Sequence, residues 1–175
     1  MKKHFIFLAI NVFVISCLHA NPVALPDTTN QKKDLVVTLK VLNESQIMIT
    51  VKNVSKKSIQ AYSHVKSDET HYDYFEIEAI TPDNDRMYFS LYGERDKSAP
   101  VIVTLKPDES FSHTIDFVQW AERSINKETL KRAGLNYLPH GIKIRAKYLN
   151  SPCDNCSEAL KAVWTGYVYS EWVDF

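Results

Sequence analysis

Cys153 and Cys156, separated by two residues, form the one local spacing in this chain that carries chemistry of its own. In an oxidising compartment such a pair staples a short loop, a constraint that stabilises by roughly 2 kcal/mol through the unfolded state. Thiol–disulfide exchange uses the same spacing when one thiol sits at a helix start, and residues 158–162 can supply one. No βαβ pattern flanks the pair, so a structural disulfide is expected and redox exchange is the alternative. Zinc needs a second pair of ligands at matching spacing, and none is present, so no metal and no cofactor are expected.

His64, Asp68, Glu69, His71 and Asp73 are the densest run of acid–base and ligating side chains. Their spacing matches no ligand template and reads as a solvated loop. His113 falls in phase with Phe111, Ile115 and Phe117, which places it on the inner side of a strand as a hydrogen-bonded, partly buried histidine. No Gly-x-Ser-x-Gly turn accompanies any histidine, so nothing supports a serine hydrolase, and the chain is expected not to be an enzyme.

Two stripes suit recognition. Lys143, Arg145 and Lys147 share one face of a strand and can pair with Glu76 and Glu78 on a neighbour. Tyr62, Tyr72, Tyr74, Tyr88 and Tyr92 are the expected binding residues, because several alternate with aliphatic positions and exposed tyrosines supply rigid contact area.

The composition narrows the partner. Lys plus Arg and Asp plus Glu both number 21, so no net field draws the chain to nucleic acid or an anionic membrane. With 45% hydrophobic residues the chain has material for a real core, and its 4 glycines argue against a glycine-rich phosphate cradle.

Lys2 and Lys3 precede an apolar run over 5–15, the pattern of an export signal and too short to span a bilayer. Two processing routes fit: Val14, Ile15, Ser16 and Cys17 resemble a bacterial lipobox, with acylation of Cys17, and Leu18, His19 and Ala20 suit ordinary cleavage after residue 20. The organisation is thus an export signal over 1–20, or 1–16 in a lipoprotein, a flexible tether over 21–33, and a folded part over 34–175. That places the protein in the bacterial cell envelope, periplasmic or held at the outer membrane by lipid.

The elements that position these residues read almost wholly as strands. Period-2 alternation recurs over 35–41, 47–52, 59–65, 74–79, 87–92, 101–105, 111–117, 142–148 and 164–175, with turns at Asn43, Pro82 and Pro107. Only 118–134 changes period, a helical crossover with Asn126 as the expected N-cap and Gly134 as the stop. The last segment reads as a central or near-central strand. Its phase conflict, Trp164 and Trp172 against Val173 and Phe175, requires a bulge or a change of burial near 170–172. The expected fold is an all-β, immunoglobulin-like antiparallel sandwich with one short helical crossover before the last two strands.

Three stretches, LKPDES at 105–110, PHGIKIRAKY at 139–148 and WTGYVYSEWVDF at 164–175, resemble exported bacterial Ig-like domains. They are similar to the Ig-like N-terminal region of deuterolysin-type metalloproteases. Asp108, His140 and Ile142 depart from that pattern, which has Gly, Gly and Tyr there, and no His-Glu-x-x-His occurs in the chain. The resemblance implies a fold more than an activity. The expected function is a non-enzymatic, protein-binding envelope module. Alternatives are an inhibitor or immunity-type protein that blocks an enzyme, an accessory or structural lipoprotein, and a redox protein acting through Cys153 and Cys156. The expected partner is another protein, with no nucleic acid, and with membrane contact only through a lipid anchor.

Overall fold

Asn43 folds the first hairpin. Its side-chain oxygen accepts from the backbone N–H of Ser45 and Gln46, at 3.0 and 2.9 Å, an Asx turn that sets the register of β1 (Leu35–Val41) against β2 (Gln46–Asn53). Leu35, Val37 and Leu39 then face the core together with Ile47, Ile49 and Val51. The computed structural model of the protein describes residues 34–66, 70–91, 99–152 and 157–175. The expected export segment, the tether, Cys17, Asp68, Glu69, Tyr92, Cys153 and Cys156 lie outside the described residues, as does the side chain of His71.

The chain continues through β3 (Ile59–Lys66), β4 (Thr70–His71), β5 (Phe75–Ile80), β6 (Arg86–Ser90), β7 (Ala99–Leu105) and β8 (Ser110–Asp116). Two helices follow, α1 (Phe117–Glu122) and α2 (Ser124–Arg132). The rest is β9 (Lys143–Asn150), the short α3 (Glu158–Lys161), β10 (Gly166–Tyr169) and β11 (Val173–Asp174). All strand pairs are antiparallel, in the orders β1-β2-β8, β10-β9-β5-β6 with β11 also on β9, and β4-β3-β7. β1 packs across β9, β10 and β11, so the first two sheets close one apolar core between them. The fold is an all-β sandwich with a helical crossover between β8 and β9, as the strand pattern requires.

The turn before β8 is tied down at both ends. Asn53 exchanges backbone bonds with Asp108 and Glu109, and Asp108 takes φ +66°, a left-handed conformation that glycine accepts most readily. Its carboxylate is 2.8 Å from the Lys52 ammonium.

The helix boundaries differ from expectation. Asp116 caps α1 by accepting from the Gln119 N–H at 2.9 Å, and Asn126 lies inside α2. Asn126 is 2% exposed, accepts from Ser90 N–H, and donates to Ser90 C=O and Trp120 C=O. A primary amide offers one acceptor and two donors, so at the edge of β6 it substitutes for the residue of a missing neighbouring strand. Gly134 does end the helix: with φ +71° it donates to Lys131 C=O while Leu135 donates to Leu130 C=O, a Schellman closure.

The C-terminal segment is not central. Among the described residues β10 and β11 pair with β9 alone and form the sheet edge; just before them Val163 bridges Gln60 of β3, Trp164 N–H donates to Gln60 C=O at 2.8 Å, and the Trp164 ring is buried against Tyr148 at 5.6 Å. The expected bulge is present. Ser170 bonds to Ala146 through its backbone N–H and its hydroxyl, Val173 faces Ile144, and Glu171 and Trp172 together span Arg145. The extra residue turns Val173 and Phe175 inward, where Phe175 meets Phe117 at 5.3 Å, and leaves Trp172 on the outer face.

Candidate functional site

Two clusters bring chemistry-bearing side chains together. The first lies where β3 meets β8. Ser63 is the extra residue of a bulge in β3, between Tyr62 opposite Ile102 and His64 opposite Val101. It is buried, and its hydroxyl lies 3.0 Å from His113 Nε2 and 3.1 Å from His64 Nδ1. A Ser–His contact invites comparison with a nucleophile and its base, but His113 Nε2 also lies 3.1 Å from Ser63 C=O. A carbonyl only accepts, so Nε2 carries the proton and donates, and it has no lone pair free to take the hydroxyl proton.

Burial, then the neighbouring His64, pushes His113 down to about 4, against the backbone bond to Ser63, which pulls the other way. Tyr72, Phe75 and Phe111 pack round the ring at centroid distances of 4.9, 6.1 and 5.4 Å. His113 is therefore neutral at pH 7, and the cluster is a hydrogen-bonded joint between sheets, the role that the phase of His113 with Phe111 and Ile115 implies.

That joint has an acid dependence of definite sign. The unfolded chain protonates His113 near its ordinary value of 6.5 and the folded chain only near 4, so the unfolded state binds more protons between them. The stabilisation is complete above about pH 6.5 and is lost as pH falls toward 4, by roughly 1–2 kcal/mol after allowance for the ring's partial solvent contact. In urea melts at pH 7 and pH 4.5, His113→Gln is expected to lose less stability on acidification than wild type. Equal losses refute the assignment.

The second cluster is the outer face of the β10-β9-β5-β6 sheet. Register aligns Ser90, Glu76, Lys147 and Tyr169 in one row across the strands, and Tyr88, Glu78, Arg145 and the bulge at Trp172 in the next. Lys147 Nζ reaches Glu76 at 2.8 Å, and Arg145 reaches one oxygen of Glu78 through Nε at 2.8 Å and Nη2 at 2.7 Å. These are the cross-strand pairs the charged stripes imply. The guanidinium of Arg145 lies 4.1 Å from the Tyr169 ring centroid and 4.7 Å from that of Trp172, so aromatic rings cover an already neutralised cation.

Tyr167 packs edge-on against Tyr169 at 5.8 Å and is 42% exposed; Tyr88 is 52% exposed. Burial, with the nearby Glu78 carboxylate, pushes Tyr169 up to about 12, so its hydroxyl stays protonated.

The expected tyrosines do not share this surface. Tyr62 is buried and stacks on Tyr74 at 4.4 Å, and Tyr72 packs on His113 and edge-on to Trp120, all three between sheets. Of the four that are described, Tyr88 alone stands on the outer face. Reading 164–175 as a central or near-central strand leaves Tyr167, Tyr169 and Trp172 out of the expected binding residues. The available signal was that Tyr167 and Tyr169 fall in the opposite phase to Trp164 and Val168. Among the described residues no three His, Cys, Asp or Glu side chains gather as a metal site, and no helix is long and apolar enough to cross a membrane. No protein-family model matches the chain, and no curated protein matches its sequence.

Proposed function

We propose that this protein is a non-enzymatic, protein-binding Ig-like module of the bacterial cell envelope, and that the outer face of the β10-β9-β5-β6 sheet is its contact surface. The observation that carries this reading is the seating of Tyr169 and Trp172 on Arg145, flanked by exposed Tyr167 and Tyr88. Tyr, Trp and Arg are the side chains that dominate binding energy at protein interfaces, and here three of them hold one another before any partner arrives. The central charges cancel pairwise, Arg145 with Glu78 and Lys147 with Glu76, which suits a folded protein matched by shape and aromatic contact better than a polyanion. The basic start and the apolar run over 5–15 support export, with Cys17 acylation or cleavage after residue 20 as the two routes.

Photo-crosslinking in intact envelopes tests the surface. A benzoylphenylalanine placed at Tyr167 or Tyr88 is expected to give a discrete adduct, and one at Val36, exposed on β1, is expected to give none. Tyr167→Ala with Trp172→Ala should weaken affinity for the captured partner about 30-fold, the effect of losing one interface hot spot of about 2 kcal/mol. Adducts of equal yield from Val36, or an affinity unchanged in the double variant, eliminate this face.

A further inference from the structure

Beside that face, an open groove of about 300 Å³ runs between β6 and the end of α2, lined by Asp85, Arg86, Tyr88, Thr129 and Arg132 among others. Thr129 fixes its wall by donating to Tyr88 C=O at 3.1 Å. The charges here behave unlike those on the neighbouring sheet. Arg145 and Lys147 there each hold a carboxylate, and Asp85, Arg86 and Arg132 line one groove yet make no ion pair among the described residues. Arg132 lies in the last turn of α2, where the helix dipole accommodates a cation, and Arg86 is exposed on β6, the edge strand that forms the other wall of the groove.

We infer that this groove receives an acidic peptide segment of the protein partner, with the partner's carboxylates on Arg86 and Arg132 and its chain against Tyr88. The inference rests on the protein-binding reading and names the chemistry of one contact. A guanidinium presents a planar fork of donors that matches a carboxylate; Asp85 is the one acidic residue in the lining, and Glu128, which also acts on Arg132, is held by Lys131 at 2.6 Å. Asp85 also selects against a dense anion: a phosphate centred between the arginines meets its charge, whereas a peptide can set a carboxylate on Arg86 and an N–H donor on Asp85. Tyr88 belongs to both surfaces, so a partner on the aromatic face reaches the groove without a gap.

Panning a random nonapeptide library on the immobilised protein tests this. Enriched sequences are expected to carry Asp or Glu, and their affinity should fall at least tenfold in Arg86→Ala with Arg132→Ala. Both side chains are exposed, so the variant should melt at the wild-type temperature. Arg86→Glu with Arg132→Glu should turn the preference toward Lys and Arg, and amide shifts on binding should gather at 85–88 and 129–133. Absence of enrichment, enrichment without acidic residues, equal binding by the alanine variant, or full displacement by inorganic phosphate each overturn it. Peptides lost only on Tyr167→Ala with Trp172→Ala remove the groove and leave the aromatic face standing; absence of a crosslink from Tyr167 removes the reading beneath both.

Discussion

Glu78→Ala is expected to destabilise the fold by about 3 kcal/mol, the low end of what removal of one partner from a buried ion pair costs. Glu78 is 6% exposed and the Arg145 side chain 17%, so deletion of the carboxylate leaves a guanidinium held between Tyr169 and Trp172 with little water to replace its partner. The loss comes from the charge left behind, not from the net worth of the pair. Glu78→Leu with Arg145→Met should therefore recover most of it, because two apolar side chains carry no desolvation penalty. Urea melts of the two single variants and the double close the cycle. A Glu78→Ala protein within 0.5 kcal/mol of wild type shows that the pair is effectively solvated. The binding surface has its own readout: Trp172 fluorescence should shift to the red as its seat on Arg145 loosens.

Tyr148→Ala is expected to cost more, about 3–5 kcal/mol, the range for truncating a large aromatic side chain in a packed core. Tyr148 is fully buried on β9, stacked on Trp164 at 5.6 Å and tilted against Phe75 at 5.1 Å. Its hydroxyl donates to Tyr62 C=O at 2.8 Å, across from one sheet to the next. Burial raises its pKa above the ordinary tyrosine value, so the donor proton is retained. Tyr148→Phe separates the two contributions: it keeps the ring and orphans the buried Tyr62 carbonyl, a loss of about 1–2 kcal/mol. A Tyr148→Phe protein as stable as wild type refutes the hydroxyl's role, and a Tyr148→Ala protein that loses under 2 kcal/mol shows that Trp164 and Phe75 close the space.

His64 belongs to the densest run of acid–base side chains in the sequence and His113 to the inner side of a strand, and the structure brings both to the Ser63 hydroxyl between sheets. The distinction from a nucleophile and its base rests on one bond, His113 to the Ser63 carbonyl, which depends on a bulge that no spacing rule locates. Asn126 makes a similar point. Ser, Thr, Asn and Asp before a helical run suggest a cap, but Asp116 holds that place for α1, and Asn126 satisfies the edge of a strand 36 residues away in sequence.

Alternation alone determined which residues of β1, β2, β5 and β9 face inward, because a pleated strand sends successive side chains to opposite sides wherever it lies. It also determined the kink before Val173, since Trp172 and Phe175 cannot share a flat strand's face with the residues before them. It did not determine which strands are neighbours. That choice fell to long-range packing, and it put the C-terminal segment at an edge, moved Tyr62, Tyr72 and Tyr74 between sheets, and aligned Tyr88, Glu78, Arg145 and Trp172 in one row. A period of two says that a side chain points out; only the order of the strands says what stands beside it.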